Sequence, residues 1–261
     1  MAVRRAIARK LRSSLALAAV LAVAGCAIAP PLPRSTIPAP AQRAAELLNA
    51  RAREFADLRT LADVSAQRGT ERYRVRGVIL AKAPASVRFE ALSPMGSPLL
   101  VATIHDGQIV AYDATTDEVT TGPATAEAAA SLLNLPFEPE ELVGVLSGRP
   151  VPPRDLRQAE ILPPDENGPS VNLAGVVNTQ RVWMDLETGI VRQLQISGGR
   201  ADALIVFRRA PDNALTGFDL TAGMGLVKST VRYENPQFGA GVEPERFVFT
   251  PPKGAKTRTI R

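Results

Sequence analysis

The chain has 261 residues, 45% of them hydrophobic, enough for one domain with a substantial core. A single cysteine excludes an internal disulfide framework, and a single histidine excludes most hydrolytic metal centres, which need several nitrogen or sulfur ligands. Of the 31 basic residues, Arg4, Arg5, Arg9, Lys10 and Arg12 fall in the first twelve positions; beyond them 26 Lys+Arg face 26 Asp+Glu. A neutral remainder gives no warrant for a nucleic-acid partner, and no basic patch interleaved with aromatics follows.

The basic opening leads into an almost unbroken apolar run, Leu15 to Ala24. That run is about half the roughly 20 residues a membrane-spanning helix requires, so residues 1–25 read as a secretory signal. Its end, Val23-Ala24-Gly25-Cys26, resembles the lipobox of bacterial lipoproteins. That resemblance implies cleavage before Cys26, acylation of the new N-terminal cysteine and attachment to a membrane through multi-chain lipid, since one acyl chain anchors only marginally. Ala27 stands where aspartate marks inner-membrane retention in the enterobacterial scheme, which implies the periplasmic face of the outer membrane. Residues 26–40 are rich in proline and read as an extended tether.

The domain is expected over residues 41–256, with 257–261 as a tail. Helical spacing runs from Ala41 to Gln67, where Ala44, Leu47, Leu48, Ala52, Phe55, Leu58 and Ala62 share one face. Arg51 and Arg59 intrude on it, their stems on apolar surface and their charges in water. After Gly69 the period becomes two: Tyr73, Val75, Gly77 and Ile79 alternate with Arg72, Arg74, Arg76 and Val78. Further strands are expected at Ser86–Leu92, Leu99–His105, Gln108–Asp113, Arg181–Leu186, Ile190–Ser197, Ala203–Arg208, Gly217–Leu220 and Val227–Tyr233. Short turns such as Asp106-Gly107 and Glu187-Thr188-Gly189 make these an antiparallel meander. Two helices interrupt it, Thr125–Asn134 and Glu138–Leu146, the second stopped by Gly148-Arg149-Pro150. Asp165–Ser170 reads as a loop.

Reactive chemistry is hard to assemble. His105 flanks a turn and reads as a solvated hairpin residue, and Glu138, Glu140 and Glu141 suit a helix N-terminus. Gly223-Met224-Gly225 lacks the rest of a dinucleotide fingerprint and reads as a kink or turn. No catalytic residue, metal site or cofactor is assigned.

The order of features, lipobox, tether, long helix, strands, helical hairpin and more strands, resembles the LolA/LolB lipoprotein-carrier superfamily. The likeness is to LolB-like proteins over Tyr73 to Pro150. There Leu92-Ser93-Pro94-Met95-Gly96-Ser97 looks like the family's protruding turn, and Leu132-Leu133-Asn134-Leu135-Pro136-Phe137 and Leu142–Pro150 look like its short helices. Pro244 to Gly254 is instead similar to the LolA ending. The resemblance implies a mainly β fold with α-helices: an open, curved antiparallel half-barrel whose hydrophobic cavity is covered by helices and holds acyl chains.

It further implies a non-enzymatic monomer that receives lipoproteins from a soluble LolA-like carrier and inserts them at the outer membrane. Pro94, Met95 and Gly96 form the membrane-insertion loop, with Met95 either exposed or filling a gap in the core. Cavity and lid candidates are Phe55, Leu58, Val75, Ile79, Phe89 and Val101, a set that rests on alternation and would reverse with the wrong parity. Other readings keep the fold but carry free phospholipid or glycolipid, or pack the apolar faces shut in a structural envelope lipoprotein.

Overall fold

The computed structural model describes residues 37–133, 137–198, 202–223 and 225–260. The signal peptide, Cys26, most of the tether, Asn134-Leu135-Pro136 and Met224 lie outside them.

In chain order the elements are helix α1 (Ala39–Arg53), β1 (Asp57–Arg68), β2 (Glu71–Lys82), β3 (Ser86–Leu92), β4 (Pro98–His105), β5 (Gln108–Asp113) and β6 (Glu118–Pro123). Helices α2 (Ala126–Leu133) and α3 (Pro139–Ser147) follow, then β7 (Gln158–Asp165), β8 (Gly168–Ala174), β9 (Thr179–Met184), β10 (Val191–Ser197), β11 (Ala203–Arg209), β12 (Leu215–Ala222) and β13 (Val227–Phe238). A 3-10 turn (Pro244–Phe247) and β14 (Lys256–Thr259) close the described chain. The strands form one open sheet in the order β14-β6-β5-β4-β3-β2-β1-β13-β12-β11-β10-β9-β8-β7. Two antiparallel meanders, β1 to β6 and β7 to β13, are thus joined by the long β1–β13 pairing.

The sheet is strongly curved. Six strands separate β4 from β10, which in a flat sheet at about 4.8 Å per strand places them more than 30 Å apart. Ile104 of β4 and Ile196 of β10 nevertheless border the same cleft. The predicted half-barrel is the observed fold.

Register identifies the concave face. Leu58, Thr60 and Ala62 of β1 pair with Ala81, Ile79 and Gly77 of β2, and Ile79 pairs in turn with Phe89 of β3. Across the other half, Tyr233, Val231, Phe218, Ile205, Leu194, Val182 and Val171 share that side. These residues and the helices make one continuous apolar core: α1 packs on β7 and β8, α2 on β5 and β6, α3 on β2 and β3.

Several expectations are corrected. The first helix ends at Arg53 rather than Gln67, and Leu58 belongs to a strand. From Leu58 to Ala62 burial alternates strictly, with Arg59 pointing out. A spacing of four fits both the helical and the strand period, so Leu58 and Ala62 satisfied a helical stripe while obeying the alternation of β1. Asp165–Ser170 is a β-hairpin between β7 and β8, with a two-residue turn at Glu166-Asn167. Pro163 and Pro164 concealed the strand, yet β7 is an edge and the prolines sit at a register shift, where a missing N–H is tolerated. The residues from 257 assigned to a tail continue β14, which pairs in parallel with β6.

The outer face carries a second, small core. Val242 and Phe247 of the C-terminal segment cover Leu80, with Val78 beside it. Arg88 donates through Nη1 to the carbonyls of Arg246 and Val248, and the ring of His105 stacks on Phe247. Hence His105 is packed rather than solvated. The segment is held at its start by Asp57, a buried carboxylate that accepts the backbone N–H groups of Ala240, Gly241 and Val242 at 2.7, 3.2 and 3.3 Å. Residues 36–261 form a unit that contains this whole buried interior.

Loss of those acceptors strands three donors near or within the interior, each costing about 1–3 kcal/mol if unpaired. Asp57→Ala should therefore lower stability by about 3 kcal/mol in urea denaturation, since some of the donors find water. A loss below about 1 kcal/mol would show that Asp57 does not hold the segment.

Candidate functional site

A cleft of about 840 Å³ opens at one end of the half-barrel. Ile104 and Ile196, each 2% exposed, form its floor and belong to the concave face. Its walls are the start of α2 (Ala124 to Glu127), the start of α3 (Glu138 to Glu141), the β2–β3 and β4–β5 turns, the loop Val151–Asp155, and Val177 and Asn178 of the β8–β9 turn. Val177 is 68% exposed at the mouth. The cleft thus connects solvent with the apolar interior.

Local sequence explains how α3 comes to stand there. Glu138 caps it in a reciprocal box with Glu141, Pro139 occupies the first turn where a missing N–H costs nothing, and Gly148 ends it at φ 65°, a left-handed conformation that suits a residue without Cβ. From Leu142 to Ser147 every residue is buried, so α3 is a plug in the barrel rather than a surface lid. Its C-terminal end is clasped. Tyr233 donates its hydroxyl to the Leu146 carbonyl at 2.8 Å, and Arg209 Nη2 donates to the Gly148 carbonyl at 3.0 Å. Burial holds the Tyr233 phenol neutral and, together with neighbouring arginines, draws the Arg209 pKa below its ordinary value. Guanidinium groups here meet the negative end of the helix dipole. Arg149 ties the same region to α1 through the Arg51 carbonyl at 3.0 Å.

By contrast α1 is lightly held. The side it buries consists of Ala41, Ala44, Ala45 and Leu48, and no side chain caps its N-terminus.

The carboxylates at the cleft are engaged in structure. Glu140 pairs with Arg154, Glu141 accepts from Asn178 Nδ2 at 3.2 Å and from the Glu138 N–H at 3.1 Å, and Asp155 accepts the Val176 N–H at 3.0 Å. Among the described residues no cluster of three or more His, Cys, Asp and Glu could hold a metal. No described helix is long and apolar enough to cross a membrane.

The cavity and lid candidates divide. Leu58, Val75, Ile79 and Phe89 share the concave face, and Phe55 is buried between α1 and β1. Val101 does not: it pairs with Glu90, whereas Phe89 pairs with Ala102, so Val101 is buried on the outer face. An expected strand starting at Leu99 counts parity within β4 alone and misses the shift where Leu92 meets Pro98, which resets the alignment between strands. Ile104 and Ile196, the cleft floor, lay within expected strands but were not singled out. Only curvature brings them together.

Pro94-Met95-Gly96 forms a tight turn at the opposite reach of β3 and β4. The Gly96 N–H donates to the Ser93 carbonyl at 2.9 Å, Ser93 and Ser97 close the base, and Gly96 sits at φ 83° with nothing near its missing Cβ. Met95 is 94% exposed.

Neither a protein-family model nor a curated protein matches the sequence. Solved structures do match in fold. A domain from Vibrio parahaemolyticus described as an outer membrane lipoprotein-sorting protein aligns with 79% of this chain and 97% of its own at 12% identity, TM-score 0.53. A DUF1329 family protein from Desulfovibrio piger covers 80% and 97% at 11% identity, TM-score 0.58. A LolA superfamily protein from Nitrosomonas europaea covers 80% and 97% at 9% identity, TM-score 0.52. The chain shares the fold of these structures, one of them a LolA superfamily protein.

The half-buried Glu141 gives a pH test. Desolvation, outweighing its hydrogen bonds, raises its carboxyl pKa above the ordinary 4.5. The folded protein then retains a proton that the unfolded chain releases, so stability falls as pH climbs from about 4.5 through the raised value. Urea midpoints of Glu141→Gln should lose that decline relative to the parent; an unchanged slope would place the titration elsewhere.

Proposed function

We propose that this chain is an exported lipoprotein, cleaved before Cys26 and anchored by lipid at the periplasmic face of the outer membrane. Its half-barrel binds acyl chains of lipoproteins on the concave face and passes them to the bilayer, without enzymatic chemistry or cofactor. The observation that carries this reading is the cleft leading from exposed Val177 to Ile104 and Ile196 on a continuous apolar face.

The face is presently covered by helices, and its residues are buried. Exchange is still affordable on physical grounds. Apolar burial is non-directional and scales with area, so an acyl chain can take over contacts that a helix gives up. Releasing α1 forfeits Ala41, Ala44, Ala45, Leu48 and the Arg149–Arg51 hydrogen bond; the leucine alone is worth about 1.5–3 kcal/mol, and a long acyl chain at about 0.8 kcal/mol per methylene can replace the whole. The plug α3 stays clasped while α1 lifts. A soluble LolA-like carrier is the proposed donor, and the monomer the working unit.

Residues 36–261, purified and exposed to a triacylated lipopeptide, should retain it at one per chain by mass spectrometry. Retention of free phospholipid in its place would favour the phospholipid-carrier reading, and no acyl ligand at all would leave a structural envelope lipoprotein. Met95 is proposed to enter the bilayer during delivery. Met95→Glu should abolish transfer to vesicles while uptake and melting temperature stay as in the parent; undiminished transfer would reject that role.

A further inference from the structure

The end of the sheet that carries Met95 has a second feature, on the outer face. There β1, β2 and β13 lie side by side, and register sets Arg72, Gln67 and Lys228 in one row and Arg74, Ser65 and Thr230 in the next. All six side chains share the convex face, opposite Val75 and Ile79. Together with the backbone between them they line a groove of about 410 Å³. Its long cationic side chains are exposed walls, and its floor is hydroxyl and amide.

Two of the acids near the groove are paired with other arginines, Glu234 with Arg76 and Asp219 with Arg208, and Glu71 is hydrogen-bonded to a neutral phenol, that of Tyr73. Arg72, Arg74 and Lys228 form no ion pair among the described residues. Three cations without an ion-pair partner therefore stand together on a domain whose formal charge beyond the leader is zero.

Apolar residues sit at the same end. Leu92, the last residue of β3, pairs with Arg76, so the Met95 turn extends toward Arg74 and Arg72. Leu226, 65% exposed, immediately precedes β13, two residues before Lys228. Methionine and leucine beside arginine and lysine without ion-pair partners match the layering of a lipid interface, acyl boundary beneath phosphates.

We infer that this end of the half-barrel docks on an anionic phospholipid surface, with Met95 and Leu226 at the acyl boundary and Arg72, Arg74 and Lys228 on lipid phosphates. The inference rests on the reading that the protein works at a bilayer and adds what orients it there. The cleft mouth, with Glu138, Glu140 and Glu141 on its wall, is not part of the docking surface.

Residues 36–261 are tested by co-flotation with vesicles of phosphatidylcholine alone or mixed with phosphatidylglycerol. Binding should require phosphatidylglycerol and weaken with salt. Each cation near such a surface contributes about fivefold, so Arg72→Gln, Arg74→Gln and Lys228→Gln together should weaken binding on the order of a hundredfold. Arg72→Lys with Arg74→Lys should retain it. Should the triple variant fail to fold, Lys228→Glu, on one exposed side chain, should still weaken it.

Equal binding to both vesicle types overturns the inference, as does parent-like binding by the folded triple variant. Competition by inorganic phosphate beyond that of chloride at equal ionic strength, without preference for charged vesicles, overturns it in favour of a soluble anion. Lipopeptide uptake is measured alongside. Uptake without charge-dependent flotation rejects the docking surface alone, and flotation without uptake rejects the carrier alone.

Discussion

The structure depends on one constraint: a sheet with one apolar face must bury that face. Among the described residues fourteen strands present Leu58, Ile79, Phe89, Ile104, Ile205, Phe218 and their neighbours to one side, and no second sheet lies opposite. Curving the sheet brings its two halves toward each other, and three helices fill what remains. Each helix meets a different part of the surface, which is why the helical hairpin is inserted between the two meanders rather than at an end of the chain. The sheet stays open because β7 and β14 are separate edges.

The helices are not equivalent covers. Leucine and valine fill the buried side of α3, and its last turn is tied down by Tyr233 and Arg209. Alanine dominates the buried side of α1. In a protein interior, area removed from water sets the cost of separation, so the alanine surface parts more readily than the leucine one. The same reasoning separates the two faces of the sheet: the outer core of Leu80, Val242 and Phe247 is small and pinned by polar contacts from Asp57, Lys82 and Arg88, which makes it structural.

Electrostatics reinforces that division. Carboxylates ring the cleft and are engaged by Arg154, Asn178 and backbone N–H groups, so they shape its entrance. At the Met95 end the charge without an ion-pair partner is positive. A domain formally neutral as a whole therefore carries carboxylates at one end and exposed arginine and lysine at the other.

Much of this was legible in the residues. Period-two alternation located most strands, the Asp106-Gly107 and Glu187-Thr188-Gly189 turns made them antiparallel, and the proline and glycine signals bracketed α3 to within one residue. Met95, whose place between proline and glycine left exposure and a core gap both open, is exposed in a turn with no local core. What failed were inferences that needed neighbours. Leu58 and Ala62 fit two periods at once, and only pairing with β2 and β13 made them a strand; Val101 fell on the outer face because a shift between β3 and β4 reset the count; Pro163 and Pro164 hid a strand that only an edge position permits. Sequence alone determined the local periods, because side-chain alternation is a property of one strand. Tertiary structure decided which face each strand buries and which distant residues share a cleft, because register and curvature arise between strands.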